Sequence, residues 1–190
     1  MPIEKRDEIP VSKLFEAVLP YQSSVYVTAL NIIQALALGF WLNEARNVVV
    51  AGNITIEWLL RSLAALGVIL VVWHRYAAEL QYLWPIVWIN TLGPFAIGVL
   101  ECLLVFSINT EVSLLLFVTF FTSLQFMAAA AYGYAHSMRK TELTEKLYRE
   151  FYHEYPHFVS CLTSFLKENN KLSCLWYMAF AGGSLVILLL

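Results

Sequence analysis

The sequence predicts an all-α integral membrane protein: a polytopic bundle of four transmembrane helices, a cytoplasmic helical segment and a fifth, hydrophobic helix at the C-terminal end. Three observations predict it. Of 190 residues, 59% are hydrophobic and only 14% charged, against roughly 25% charged in an ordinary soluble domain, and the mean hydropathy is +0.65. So little polar surface cannot cover a soluble exterior. The apolar residues also gather into charge-free runs about as long as a bilayer is thick, ~20 helical residues. The basic residues outside those runs fall almost entirely on one side of them, as the positive-inside rule requires of cytoplasmic flanks.

Taken in order, residues 1–20 form a cytoplasmic N-terminal segment. Within it Ser12 to Leu19, ending at Pro20, reads as a short interfacial helix with Leu14, Phe15, Val18 and Leu19 on its apolar side. The first 20 residues mix acidic with basic side chains and the apolar run starts late, so no cleavable signal peptide is expected. Residues 21–136 hold the four spans. Val25 to Leu42 is the first. The second has an uncharged part, Ser62 to Trp73, that covers only ~18 Å at 1.5 Å per residue. It must therefore start near Ile54 and carry Glu57 and Arg61 with it. Leu83 to Leu100 opens the third, which continues beyond Glu101 to Phe106, and Val112 to Tyr134 is the fourth.

Residues 137–171 are the cytoplasmic amphipathic helices. Leu143, Leu147, Phe151 and Tyr155 recur every fourth residue, with Glu142/Lys146 and Glu145/Arg149 as i,i+4 pairs off that stripe. A second helix after Pro156 carries Phe158, Leu162, Phe165 and Leu166. Residues 172–190 are uncharged and read as a fifth span; a hairpin broken at Gly182-Gly183-Ser184, or a helix lying against the bundle, is the other reading.

Lys5, Arg6, Lys13, Arg75, Arg139, Lys140, Lys146, Arg149, Lys167 and Lys171 lie on one side of these spans, and Arg46 lies on the other. The N-terminus is thus expected on the cytoplasmic side of the cell (inner) membrane. Asn53-Ile54-Thr55 reads as a sequon on the outer side. Cys102, Cys161 and Cys174 show no Cys-x-x-Cys spacing and are expected as free thiols.

Ionisable residues inside a span are costly and usually face protein or water, which makes them pointers to function. Glu57 and Arg61 are four apart on one helical face, and counting inward places Arg61 and Glu101 at similar depth, so a Glu57, Arg61 and Glu101 cluster is expected. It serves as a charged mouth or as an ion pair locking two helices. On the third span Asn90, Pro94, Gly98 and Glu101 form one stripe, polar or small from end to end. Pro94 also frees the carbonyl of Asn90, and a freed carbonyl in a membrane needs a partner, water or an ion. The first span has a weaker seam at Thr28, Asn31 and Gln34 or Ala35, and the fourth at Thr122, Gln125 and Ala129. Ala35/Gly39 and Ala129/Gly133 are small-xxx-small pairs suited to close helix approach.

These features predict a homo-oligomer, such as a tetramer, that forms an ion-conducting or gated pore, because one protomer has too few spans to enclose a wide polar path. The alternative is a non-conducting anchor or sensor that recruits a cytosolic effector protein through Leu147, Phe151 and Tyr155. No cofactor is called for. Twelve Lys and Arg stand against 14 Asp and Glu with no basic run, which disfavours direct nucleic-acid binding. No enzyme constellation is present either. His74, His136, His153 and His157 include no HExxH pair, and Pro156 breaks the helix between His153 and His157, so no metal site is expected.

Trp73-His74-Arg75, then Leu83-Trp84, Asn90 and Pro94, resemble the second-to-third span region of the bacterial relatives of the lysosomal potassium channel family. The resemblance implies a multi-span cation channel. It covers about 35 residues, as the family's Phe-Ser-Asp hallmark in the first span is missing, with Asn31, Gln34 and Ala35 on that helix. The family's pore-lining residues therefore do not carry over. In layout, four close spans with a short cytoplasmic tail are also similar to the small membrane subunits of prokaryotic anti-phage systems such as Kiwa, which implies a role in antiviral defence.

Overall fold

The computed structural model describes residues 24–79, 82 and 88–189, together with Lys13 and Glu16, both helical. The apolar residues of the expected interfacial helix, Leu14, Phe15, Val18 and Leu19, lie outside the described residues, as do Leu83 and Trp84. Among the described residues the chain is all helical, with six α-helices and no strand. We number them α1 (Ser24–Ala51), α2 (Ile56–Glu79), α3 (Trp88–Phe106), α4 (Leu114–His136), α5 (Met138–Phe151) and α6 (Pro156–Leu189).

Two of these, α2 over Ile56–Ala78 and α4, are long and apolar enough to cross a membrane. Helix α3 has a shorter apolar stretch, Leu92–Phe106. Helix α1 spreads Asn31, Gln34 and Asn43 along its length.

Local signals set the helix ends. Gly52 takes a positive φ of 69° at the α1–α2 turn, a conformation that costs glycine little. Thr55 then caps α2, its Oγ1 accepting from the Trp58 N–H at 3.1 Å, and Ser113 caps α4 by accepting from Leu115 N–H at 3.2 Å.

Helices α1, α2 and α3 pack on one another, α4 packs on α3, and α6 lies along α4 and α5. Helices α1 and α2 are antiparallel, with Trp41 Nε1 donating to the Ser62 carbonyl at 3.1 Å. The main apolar core joins Ala37 of α1, Trp58, Ala65 and Ile69 of α2, Leu104 and Val105 of α3, Ile108 of the following turn, and Phe117 and Leu124 of α4.

The longest helix differs from the expectation of two. Residues 156–171 and 172–189 form one helix of 34 residues, about 51 Å long, which passes through Gly182-Gly183-Ser184 unbroken. It runs antiparallel to α4. The His136 ring meets the Lys167 carbonyl at 3.2 Å, the Tyr132 and Tyr177 rings stack at 5.6 Å, and a Cβ on Gly133 would lie 3.4 Å from Cys174 Sγ. That close fit is what the Ala129/Gly133 pair allows. The Ala35/Gly39 pair does nothing comparable within the protomer, because both residues are exposed and nothing lies within 4 Å of a Cβ on Gly39.

In the α5–α6 hairpin, Tyr148, Tyr152, Val159 and Leu166 form a second buried cluster, with Tyr82, Leu147, Tyr155, Phe158 and Leu162 packed against it. The expected apolar stripe does not form the centre of this buried face, although its Leu147 and Tyr155 pack against the cluster. Thr144, Tyr148 and Tyr152 face inward, while Leu143 and Phe151 are exposed. Two large tyrosine rings, which stack at 6.0 Å, are buried in place of Leu143 and Phe151.

Candidate functional site

The expected cluster of Glu57, Arg61 and Glu101 divides in two. Arg61, only 4% exposed, pairs with Glu57 through Nη2. Its Nη1 reaches the carbonyls of Ser107 at 3.1 Å, Asn109 at 3.3 Å and Val112 at 2.8 Å. The guanidinium also lies 5.8 Å from the centre of the Phe117 ring, near enough for cation–π attraction. Arg61 thus gathers the α3–α4 turn onto α2, and it makes no ion pair with Glu101.

Counting inward from span ends misplaced Arg61 because the two hairpins differ in height. Arg61 is level with the α3–α4 turn, while the α1–α2 tip continues past it by about 10 Å at helical rise. At that tip Val50 and Ile56 are each 79% exposed.

Glu101 lies deeper along α3, five residues or about one and a half turns before the end of the helix at Phe106. It is 0% exposed, and its Oε2 accepts from Gln34 Nε2 of α1 at 2.8 Å. The other carboxylate oxygen and the amide oxygen of Gln34 have no hydrogen-bond partner. Such groups are costly in a low-dielectric interior, so the pair is a polar point set into apolar packing.

Two further members of the third-helix stripe are buried too. Pro94 and Gly98 are buried with Glu101, and a Cβ on Gly98 would collide with the Ile33 side chain of α1. The stripe thus faces α1 of the same protomer. Asn90 is helical, and its side chain lies outside the described residues. Of the first-span seam, Gln34 is buried while Thr28, Asn31 and Ala35 are exposed. Of the fourth, Thr122 and Ala129 are buried, and the Thr122 hydroxyl has no partner.

Sequence reasoning found Glu101, since a charge inside an apolar run is visible by eye. It missed the Gln34–Glu101 contact and the carbonyl partners of Arg61. The only sequence signal for the first was that Gln34 and Glu101 both interrupt apolar runs.

At the opposite end, Lys13 Nζ lies 3.4 Å from Glu154 Oε2 and 5.8 Å from the centre of the Tyr155 ring. Leu147 and Tyr155 of the expected partner surface are half-buried against the tyrosine cluster. His157 Nε2 is 3.8 Å from Cys161 Sγ on an exposed face, and all three cysteines are free.

Fold and site together define a class, an all-helical apolar chain with a carboxyl and an amide paired inside the bundle. Comparison with family models, with curated proteins and with solved structures returned no match.

Proposed function

We propose that the chain crosses the membrane four times and then returns through α6, with its N-terminus cytoplasmic, and that copies of it assemble into a gated, ion-conducting pore. The observation that carries this reading is the fully buried Glu101, held by one amide and no cation, on a polar and small seam between α1 and α3. A purely structural contact gains little from a buried carboxyl, since apolar residues of similar volume stabilise as well or better. In the closed state Gln34 and Glu101 bridge the seam. When α1 and α3 separate, Glu101 lines a cation path. The open small face at Ala35 and Gly39 supports self-association, since it lets another helix approach closely.

The test is reconstitution of the purified oligomer in planar bilayers. Wild type is expected to conduct cations, with Glu101→Gln lowering cation selectivity and Gln34→Leu raising the open probability. Absence of conductance in every condition, from a correctly assembled oligomer, overturns the proposal.

A second reading is a non-conducting anchor or sensor that recruits a cytosolic effector. It is favoured by one observation: Leu143 and Phe165 are exposed on the hairpin, on segments that carry the charged residues typical of a water-facing surface. It predicts a protein retained by wild type and lost with Leu143→Ser/Phe165→Ser. Retention unaffected by those changes rejects this surface.

A further inference from the structure

We infer that two copies of the chain pair in the membrane through α1, the outward groove of each helix receiving the other. The inference deepens the assembly proposed above and rests on α1 crossing the membrane. Four residues spaced by four, Asn31, Ala35, Gly39 and Asn43, are all exposed on the protomer. That spacing sets them in one row inclined to the helix axis. Beside it runs an exposed row of large side chains, Ile32, Leu36 and Phe40. A low row next to a high one is a groove beside a ridge, and two such surfaces interlock when the ridge of each enters the groove of the other, at a crossing of about −50°. Gly39 keeps the groove open, since nothing in the protomer lies within 4 Å of a Cβ there.

The amides identify the occupant. Asn31 lies six residues inside the apolar run that starts at Val25, about 9 Å along the helix, where acyl chains offer neither donor nor acceptor. An outward amide at that depth is costly unless another helix supplies its partners. A second copy always does. Copies inserted the same way round hold Asn31 at the same depth, and a primary amide both donates and accepts. Asn31 therefore pairs with the Asn31 of the second copy about a two-fold axis normal to the bilayer, and Asn43 faces its counterpart nearer the outer end. Within the protomer an equivalent small pair already admits a helix this closely, where Gly133 approaches Cys174 of α6. Gln34 lies about 100° round α1 from Ala35 and is buried, so pairing leaves the Gln34–Glu101 contact inside each protomer.

The experiment uses full-length protein in liposomes, with Cys102, Cys161 and Cys174 replaced by Ser. A single cysteine introduced as Ala35→Cys is expected to give a disulfide-linked dimer on oxidation with copper phenanthroline, whereas Leu115→Cys, exposed on α4, stays unlinked. Association is then followed by energy transfer between donor- and acceptor-labelled copies, the label placed at Val50→Cys. Asn31→Leu is expected to raise the dissociation constant about three- to thirtyfold. Gly39→Ile abolishes transfer at densities where the reference protein pairs, and Asn31→Gln, which keeps an amide, falls between. Helical content by circular dichroism is unaltered, because both positions are open on the protomer. The cross-linking comparison decides by itself should a groove variant misfold. Linking at Leu115→Cys as efficient as at Ala35→Cys overturns the inference, as does transfer unchanged by both Asn31→Leu and Gly39→Ile. A reference protein that stays monomeric at every density overturns it too, leaving lipid as the cover of this face. If α1 pairs and the paired protein conducts in no condition, the interface stands and the pore reading fails. If the protein conducts while its association ignores both substitutions, the pore reading stands and the interface fails.

Discussion

At Arg61 a single side chain does the work of a loop anchor. It offers charged donors to Glu57 and to three carbonyls of the 107–112 turn, and removing it strands acceptors in a partly buried site. Arg61→Leu should therefore lower stability by about 2 to 4 kcal/mol, measured as a lower Tm in detergent, with Glu57 turning out to solvent. Exchanging charges between Arg61 and Glu101 should fail to rescue assembly, because the two do not meet. The buried pair behaves differently. Glu101→Gln keeps an acceptor for Gln34 and removes an ionisable group from a buried site, so Tm should hold or rise. Gln34→Leu leaves the carboxyl without its donor and should cost about 2 to 4 kcal/mol. Equal Tm losses for these two variants would show that the amide does not support the carboxyl. The contrast also marks what a sequence can reveal: an unusual residue is visible in place, whereas its partner depends on how two distant helices dock, and carbonyl partners carry no side-chain signature.

Among elements, helix type was legible and helix facing was not. Apolar runs marked where the main helices lie. Which column of α5 turns inward depends on neighbours brought from elsewhere in the chain, Tyr82 included, so spacing alone did not show that Tyr148 and Tyr152 are the most deeply buried. The same limit applies to small residues. Ala129 is buried and Gly133 meets α6, while Ala35 and Gly39 face outward, although the two pairs read alike. At Gly98 the approach is tight enough to test directly. Gly98→Ala forces Ile33 aside and should cost about 1 to 3 kcal/mol, and Ile33→Ala in the same chain should recover part of that loss. In the hairpin, burial pushes the Tyr152 phenol above its ordinary value, and its hydroxyl has no partner. The neutral form is thus favoured in the fold: its contribution is full below the ordinary phenol pKa and is lost as pH rises through the raised one. Tyr152→Phe should leave Tm unchanged or higher near neutral pH and remove that alkaline loss. A Tm fall on Tyr152→Phe at neutral pH would mean that the hydroxyl is satisfied after all.

Across the whole molecule, the contacts sort the chain into two ends. Lys13, Tyr82, the α5–α6 hairpin and Arg75, whose guanidinium lies 5.7 Å from the centre of the Tyr132 ring, gather at one. The 52–55 turn and the 107–113 turn that Arg61 holds lie at the other. Arg75, Lys146, Arg149, Lys167 and Lys171, expected in the cytoplasm by charge bias, belong to segments at the first end. A bilayer between the two ends predicts a definite labelling pattern. In right-side-out vesicles a membrane-impermeant maleimide should leave the exposed Cys161 unmodified until the vesicles are opened. A Val50→Cys protein, with the three natural cysteines replaced, should react at once. Reversed reactivity would keep the spans and invert the orientation. Reaction at both sites in sealed vesicles would place both ends on one side of the membrane, and the spanning arrangement would then have to be given up.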